Sequence, residues 1–148
     1  MKDYIYIQDN ILDLKSLSYL LKWINTLSFE KAGIKAKGAK ESSIDKKVRD
    51  VNSHFISRES VSMSAVSWHN YLELVFTTHM KKYMDNHPQL ILNNWEAFEI
   101  LKYDKDHHFE LHVDSGPTVP RTMSIIFMLN DDYEGGNLVF RWREDEMI

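Results

Sequence analysis

Residues His107–Phe140 read HHFELHVDSGPTVPRTMSIIFMLNDDYEGGNLVF, and the texture of this stretch decides the fold class. Short runs rich in aromatic and β-branched residues, Phe109–Asp114, Thr122–Leu129 and Leu138–Trp142, are separated by turn-forming residues at Ser115–Pro120 and Asn130–Asn137. That alternation predicts closely spaced strands. A further run, Ala97–Tyr103, precedes them across Asp104–Asp106. The segment MSIIFML is so uniformly apolar that it reads as a strand buried on both faces. The Gly135–Gly136 pair suits the positive φ angles of a tight reversal.

Working outward, the half of the chain before Pro88 has a helical texture. Leu14, Leu17, Leu20, Leu21, Ile24 and Leu27 recur at three- and four-residue steps, an apolar stripe behind an Asp13 cap. Ser64 is placed to cap a second helix running to about Asp85, with Trp68, Leu72, Val75, Phe76, His79 and Tyr83 on one side. His54, His69, His79 and His87 read as ordinary structural residues. Tyr4–Gln8 reads as a short first strand and Val48–Ile56 as another, with Arg49 structural. Glu30–Lys47, rich in Lys, Gly, Ala and Ser, reads as a surface loop. Two helices followed by several strands predict an α+β domain with a β-sandwich or barrel-like core.

The chain has 148 residues, 43% of them hydrophobic, a net charge of −4 and no cysteine. This suits a single globular domain and leaves out disulfide and thiolate chemistry. The acidic balance argues against general nucleic-acid or anionic-membrane binding. No signal-peptide core or membrane-length apolar run is present in the sequence, so a cytoplasmic-type protein is expected.

The chemistry centres on His112 and Asp114. In a strand, residues i and i+2 project from one face. An imidazole and a carboxylate side by side make a mixed nitrogen and oxygen site suited to a divalent transition metal. An Fe(II) oxygenase site of this kind needs one more His. His108 shares the face, but four residues of strand put it roughly 13 Å away, and His107 faces the other way. Glu110, on the same face, reads as a solvated or ion-paired residue.

Taken in order, Tyr103, Phe109, His112-Val113-Asp114, Arg121, Leu129-Asn130, Tyr133-Glu134-Gly135-Gly136 and Phe140 resemble the iron- and 2-oxoglutarate-dependent dioxygenases of the prolyl 4-hydroxylase type. The match covers about forty residues, and its texture is closest to the short phage and bacterial members. The resemblance implies a double-stranded β-helix, a jelly-roll, cupin-like core with the N-terminal helices packed outside. It implies Fe(2+) on His112 and Asp114, and 2-oxoglutarate beside Tyr103 and the position of Met128. Relatives often carry a Tyr where Met128 stands, and a thioether cannot donate that hydrogen bond. The implied reaction is hydroxylation of a C–H bond by dioxygen in a peptide or small-molecule substrate. 2-Oxoglutarate is decarboxylated to succinate, and ascorbate is a supporting reductant.

The family pattern has a second His on a late strand and then a Lys or Arg for the co-substrate's distal carboxylate. No His follows His112 here. About four core strands are legible of the eight a jelly roll uses. The expectation is therefore a single oxygenase domain over 1–148 that lacks its C-terminal strands. Two alternatives come from other classes: a non-catalytic remnant of the fold acting as a binding or assembly module, and a cupin-like metal protein doing hydrolysis or sugar chemistry.

Overall fold

The structure, a computed structural model, describes residues 4–34, 43–92, 94–116 and 120–141. Among these residues two helices, α1 (Leu14–Ile24) and α2 (Met63–Asn86), accompany five short strands: β1 (Glu30–Lys31), β2 (Arg49–Asp50), β3 (Asn52–Ile56), β4 (Phe98–Lys102) and β5 (His108–Phe109). The strands form a three-stranded sheet in the order β1-β3-β4 and a two-stranded sheet β2-β5, antiparallel throughout. The described residues do not by themselves draw a jelly roll.

Helix α1 starts where expected. The Asp13 carboxylate accepts from the backbone N–H groups of Lys15 and Ser16, both at 3.0 Å, and so satisfies donors that the first turn leaves open. The stripe is narrower than the sequence suggested. Leu20 is buried and Leu17 and Ile24 pack on the core, whereas Leu14 is exposed and Asn25 closes the helix before Leu27. Helix α2 is capped by Ser62, not Ser64: the Ser62 hydroxyl accepts from the Ala65 N–H at 3.3 Å. Its inward face is Ala65, His69, Leu72 and Phe76. His69 lies against Phe98 with ring centroids 4.8 Å apart, so it is the buried histidine of this face, while His79 is only partly buried.

The core lies between the two helices and the three-stranded sheet. Leu12, Leu20, Ile56, Ala65, Leu72 and Phe76 form its buried centre, with Trp23, Trp68, Trp95, Phe98, Ile100, Phe127 and Leu129 around it. Phe76 is its aromatic hub. It meets Trp95, Phe98 and Phe127 at centroid distances of 6.3, 5.5 and 5.7 Å, the last two edge-on, the geometry the ring quadrupoles favour.

The expected strand Val48–Ile56 is two strands in different sheets, joined at Val51, which is fully buried. β3 pairs with β4 from Asn52↔Lys102 to Ile56↔Phe98, and β2 pairs with β5 at Arg49↔Phe109 and Asp50↔His108. One side of this pairing therefore spends a single residue, Val51, where the other inserts the five residues Tyr103–His107. The insertion turns at Asp106, whose φ is +65°. It behaves as an enlarged β-bulge, which breaks the ladder and re-aims the strand leaving it. Everything after β5, including His112, takes its direction from it.

Other strand expectations differ from the structure. Tyr4–Gln8 is not a strand. It lies along the C-terminal end of α2, with the Tyr83 hydroxyl donating to the Tyr4 carbonyl at 3.2 Å and Tyr6 tilted against Tyr83. Phe109–Asp114 is strand only at its start. Thr122–Leu129 and Leu138–Phe140 form no ladder among the described residues, and Trp142 lies outside them. MSIIFML is not buried on both faces. Met123, Phe127 and Leu129 turn inward, while Ile126 and Met128 are more than half exposed, at 55% and 54%. Apolar content alone does not reveal burial, because backbone groups without a ladder partner stay where water can satisfy them. The surface loop Glu30–Lys47 contains an ordered start, since Glu30–Lys31 pairs with Asn52–Ser53 and Ala32 is buried. Its middle, 35–42, lies outside the described residues. Gly135 and Gly136 adopt φ of +75° and +63°, the reversal expected of them.

Candidate metal centre

The wall of the site begins with the cross-strand pair Arg49↔Phe109. Opposed residues of an antiparallel pair share a face at close range, and the Arg49 guanidinium sits over the Phe109 ring at 4.6 Å. The Arg49 guanidinium is held there by Glu99 at 2.9 Å and by the Gly33 carbonyl at 3.1 Å. On Phe109 lies the imidazole of His112, with centroids 3.7 Å apart and planes 14° from parallel. The order is guanidinium, phenyl, imidazole. It is set by β2–β5 register and by the Glu110 N–H donating to the Val48 carbonyl at 2.9 Å, the last hydrogen bond before the chain departs.

His112 and Asp114 come together as the sequence suggested, although they follow β5 rather than lie in it. His112 Nε2 is 3.0 Å from Asp114 Oδ1. His112 Nδ1 is 2.7 Å from the Glu110 carbonyl oxygen. A carbonyl only accepts, so Nδ1 carries the hydrogen. In the neutral ring, Nε2 then presents a lone pair to a carboxylate oxygen, and the two repel unless a positive species lies between or beside them. A proton serves, and so does a metal cation. Two donors at bond lengths near 2.1 Å and a right angle stand about 3.0 Å apart, which is the separation here. The backbone bond from the remote nitrogen is the support a metal-binding imidazole requires. The side chains are 40% and 43% exposed, so an ion reaches them from solvent.

Asp114 is held from a second direction. Its Oδ2 accepts from the Ser124 hydroxyl at 2.5 Å, and its backbone carbonyl accepts from Arg121 Nη1 at 3.1 Å. Arg121 in turn grips Glu96 through Nε and Nη2 at 2.7–3.1 Å. This fork holds the Glu96 carboxyl below the usual carboxylate range, and Glu96 raises Arg121.

The other expected site residues stand further out. Tyr103 opens the five-residue insertion, half exposed; burial of the remainder pushes its phenol up, with the Arg49 charge opposing and Glu99 adding. Met128 is exposed between two half-buried neighbours, Phe127 and Leu129. His108 turns to the Lys47 carbonyl at 3.3 Å. His107 accepts from the Asp104 N–H at 3.0 Å and faces the Lys31–Asp50 ion pair. Neither joins His112, and among the described residues no group of three metal-ligating side chains forms.

Arg49 has the structural part expected of it, held by Glu99 and the Gly33 carbonyl; Glu96 and Ser124 are the residues sequence reasoning missed. Nothing in the sequence marks Ser124, whose part depends on where the 121–129 segment docks. No helix among the described residues is long and apolar enough to cross a membrane. No protein-family model, curated protein or solved structure matches the chain.

Proposed function

We propose that His112 and Asp114 are two ligands of a mononuclear Fe(II) centre, and that the protein is a 2-oxoglutarate-dependent dioxygenase hydroxylating a C–H bond of a peptide or small molecule. The observation that carries the metal reading is the 3.0 Å approach of Nε2 to Oδ1 with Nδ1 committed to a carbonyl. The motif order from Tyr103 to Phe140 supports the reaction class, and the double-stranded β-helix belongs to the same proposal. Iron would supply dioxygen activation. The chain's own residues orient the imidazole through Glu110 and Phe109 and present one carboxylate oxygen; Tyr103 beside 2-oxoglutarate belongs to the same proposal. Arg49 offers an anionic co-substrate such as 2-oxoglutarate no free charge, because its side chain is 10% exposed and its guanidinium is paired with Glu99 at 2.9 Å. Met128 offers it no hydrogen bond.

The test is titration of the full chain with Fe(II) under anaerobic conditions, and with Co(II) as a redox-stable probe, followed by succinate measurement with 2-oxoglutarate. Binding is expected to be weak with two ligands from the described residues, and His112→Ala is expected to abolish it. Undiminished binding in that variant would sink the assignment. A second reading, a non-catalytic binding module, is favoured by the absence of a third ligand among the described residues. It predicts no succinate release at any metal concentration. Turnover of another substrate without 2-oxoglutarate would instead support hydrolytic or sugar chemistry at the same metal.

A further inference from the structure

We propose that Ser124 is a positioning residue that makes Asp114 a one-oxygen ligand, an inference that rests on the metal reading of His112 and Asp114. The two carboxylate oxygens of Asp114 have different partners. Oδ2 accepts from the Ser124 hydroxyl at 2.5 Å, while Oδ1 faces His112 Nε2 at 3.0 Å. A carboxylate free to rotate can offer a cation both oxygens and occupy two coordination positions. With one lone pair of Oδ2 engaged and the carboxylate held against rotation, Oδ1 is the oxygen aimed at the His112 side, which favours one-oxygen coordination and leaves a position for substrate or co-substrate oxygen.

The hydroxyl's placement is not accidental to one contact. Arg121, three residues before Ser124, donates to the Asp114 carbonyl at 3.1 Å and is anchored by Glu96. The Arg121 N–H donates to the Ser115 hydroxyl at 3.1 Å. Phe127, three residues after Ser124, docks edge-on against Phe76. The segment carrying Ser124 is thus tied to the backbone around Asp114 on one side and to the core on the other. The hydroxyl sits between two fixed points, which is what orienting a ligand requires.

The experiment uses the full chain and Co(II), with affinity from calorimetry, coordination from the visible spectrum, and carboxylate binding mode from the infrared spectrum. Ser124→Ala is expected to weaken Co(II) about ten-fold and to narrow the splitting between the carboxylate's asymmetric and symmetric stretches, as a two-oxygen ligand does. Ser124→Thr keeps the hydroxyl and is expected to restore both. Circular dichroism of the metal-free variants establishes that the fold is retained. Wild-type affinity and an unchanged splitting in Ser124→Ala overturn the proposal while leaving the metal reading intact. Failure of the wild-type chain to bind Co(II), or equal binding by His112→Ala, overturns the metal reading and this inference with it.

Discussion

Truncating Phe76 to alanine tests whether one aromatic hub holds the site segment to the body of the protein. Phe76 is 6% exposed, and its ring touches Trp95, Phe98 and Phe127. Phe→Ala at such a position costs about 3–5 kcal/mol, the transfer loss plus the cavity left behind. The three ring pairs, about 0.5–1.5 kcal/mol each beyond area burial, overlap with that figure and explain why its upper half is expected here. A domain of this size is stable by about 5–15 kcal/mol, so roughly a quarter or more of the total is removed. With a urea slope near 2 kcal/mol per molar, the midpoint falls by about 2 M. Urea unfolding followed by far-ultraviolet circular dichroism and tryptophan emission reads this directly, and Phe76→Leu is expected to fall between the variant and the wild type. Because Phe127 loses its partner, Co(II) affinity is expected to fall as well, measured below the onset of unfolding. A midpoint shift under about 0.5 M would show that the ring cluster does not anchor the 121–129 segment, and the account of the core would be wrong.

Two further outcomes concern the supports of the site. Phe109→Leu removes the face on which His112 stacks at 3.7 Å. A ring pair worth about 0.5–1.5 kcal/mol corresponds to a two- to ten-fold loss of Co(II) affinity, roughly, and unaltered affinity would show that the stack does not orient the imidazole. The Arg121–Glu96 pair bears on pH. Its folded-state carboxyl is held below the ordinary value, chiefly by the hydrogen bonds from Arg121. Its contribution is therefore complete above the unfolded carboxylate value, near 4.3, and is lost as pH falls through the lower folded one. The side chains are 39% and 57% exposed, so the pair is worth about 0.2–1 kcal/mol. Melting temperatures of wild type and Glu96→Gln are expected to differ at pH 7 and to converge near pH 2; a constant difference throughout would mean the ion pair adds nothing.

Much of the helical half is legible because its determinants are local. The Asp13 cap needs only the two following N–H groups, and Leu20 and Ile24 are placed by the helical repeat. The cap of α2 is Ser62 rather than Ser64, because several serines compete there and only backbone geometry separates them. The strand half is less legible. Apolar runs at 122–129 and 138–140 carry the composition of strands, but a strand exists only when a partner supplies its hydrogen bonds.

Local sequence suffices to set His112 and Asp114 two residues apart, to make the reversal at Gly135 and Gly136, and to put two helices before a β-textured half in an acidic, cysteine-free chain. Those properties belong to short segments. It took tertiary packing to end the ladder at Phe109 through a five-residue insertion opposite Val51, and to stack Arg49, Phe109 and His112 in that order. Packing alone brought Ser124 and the Arg121–Glu96 fork around Asp114. The physical reason is that register between β2 and β5 and the docking of Phe127 on Phe76 depend on surfaces far apart in the chain. No local propensity encodes which hydroxyl will meet which carboxylate.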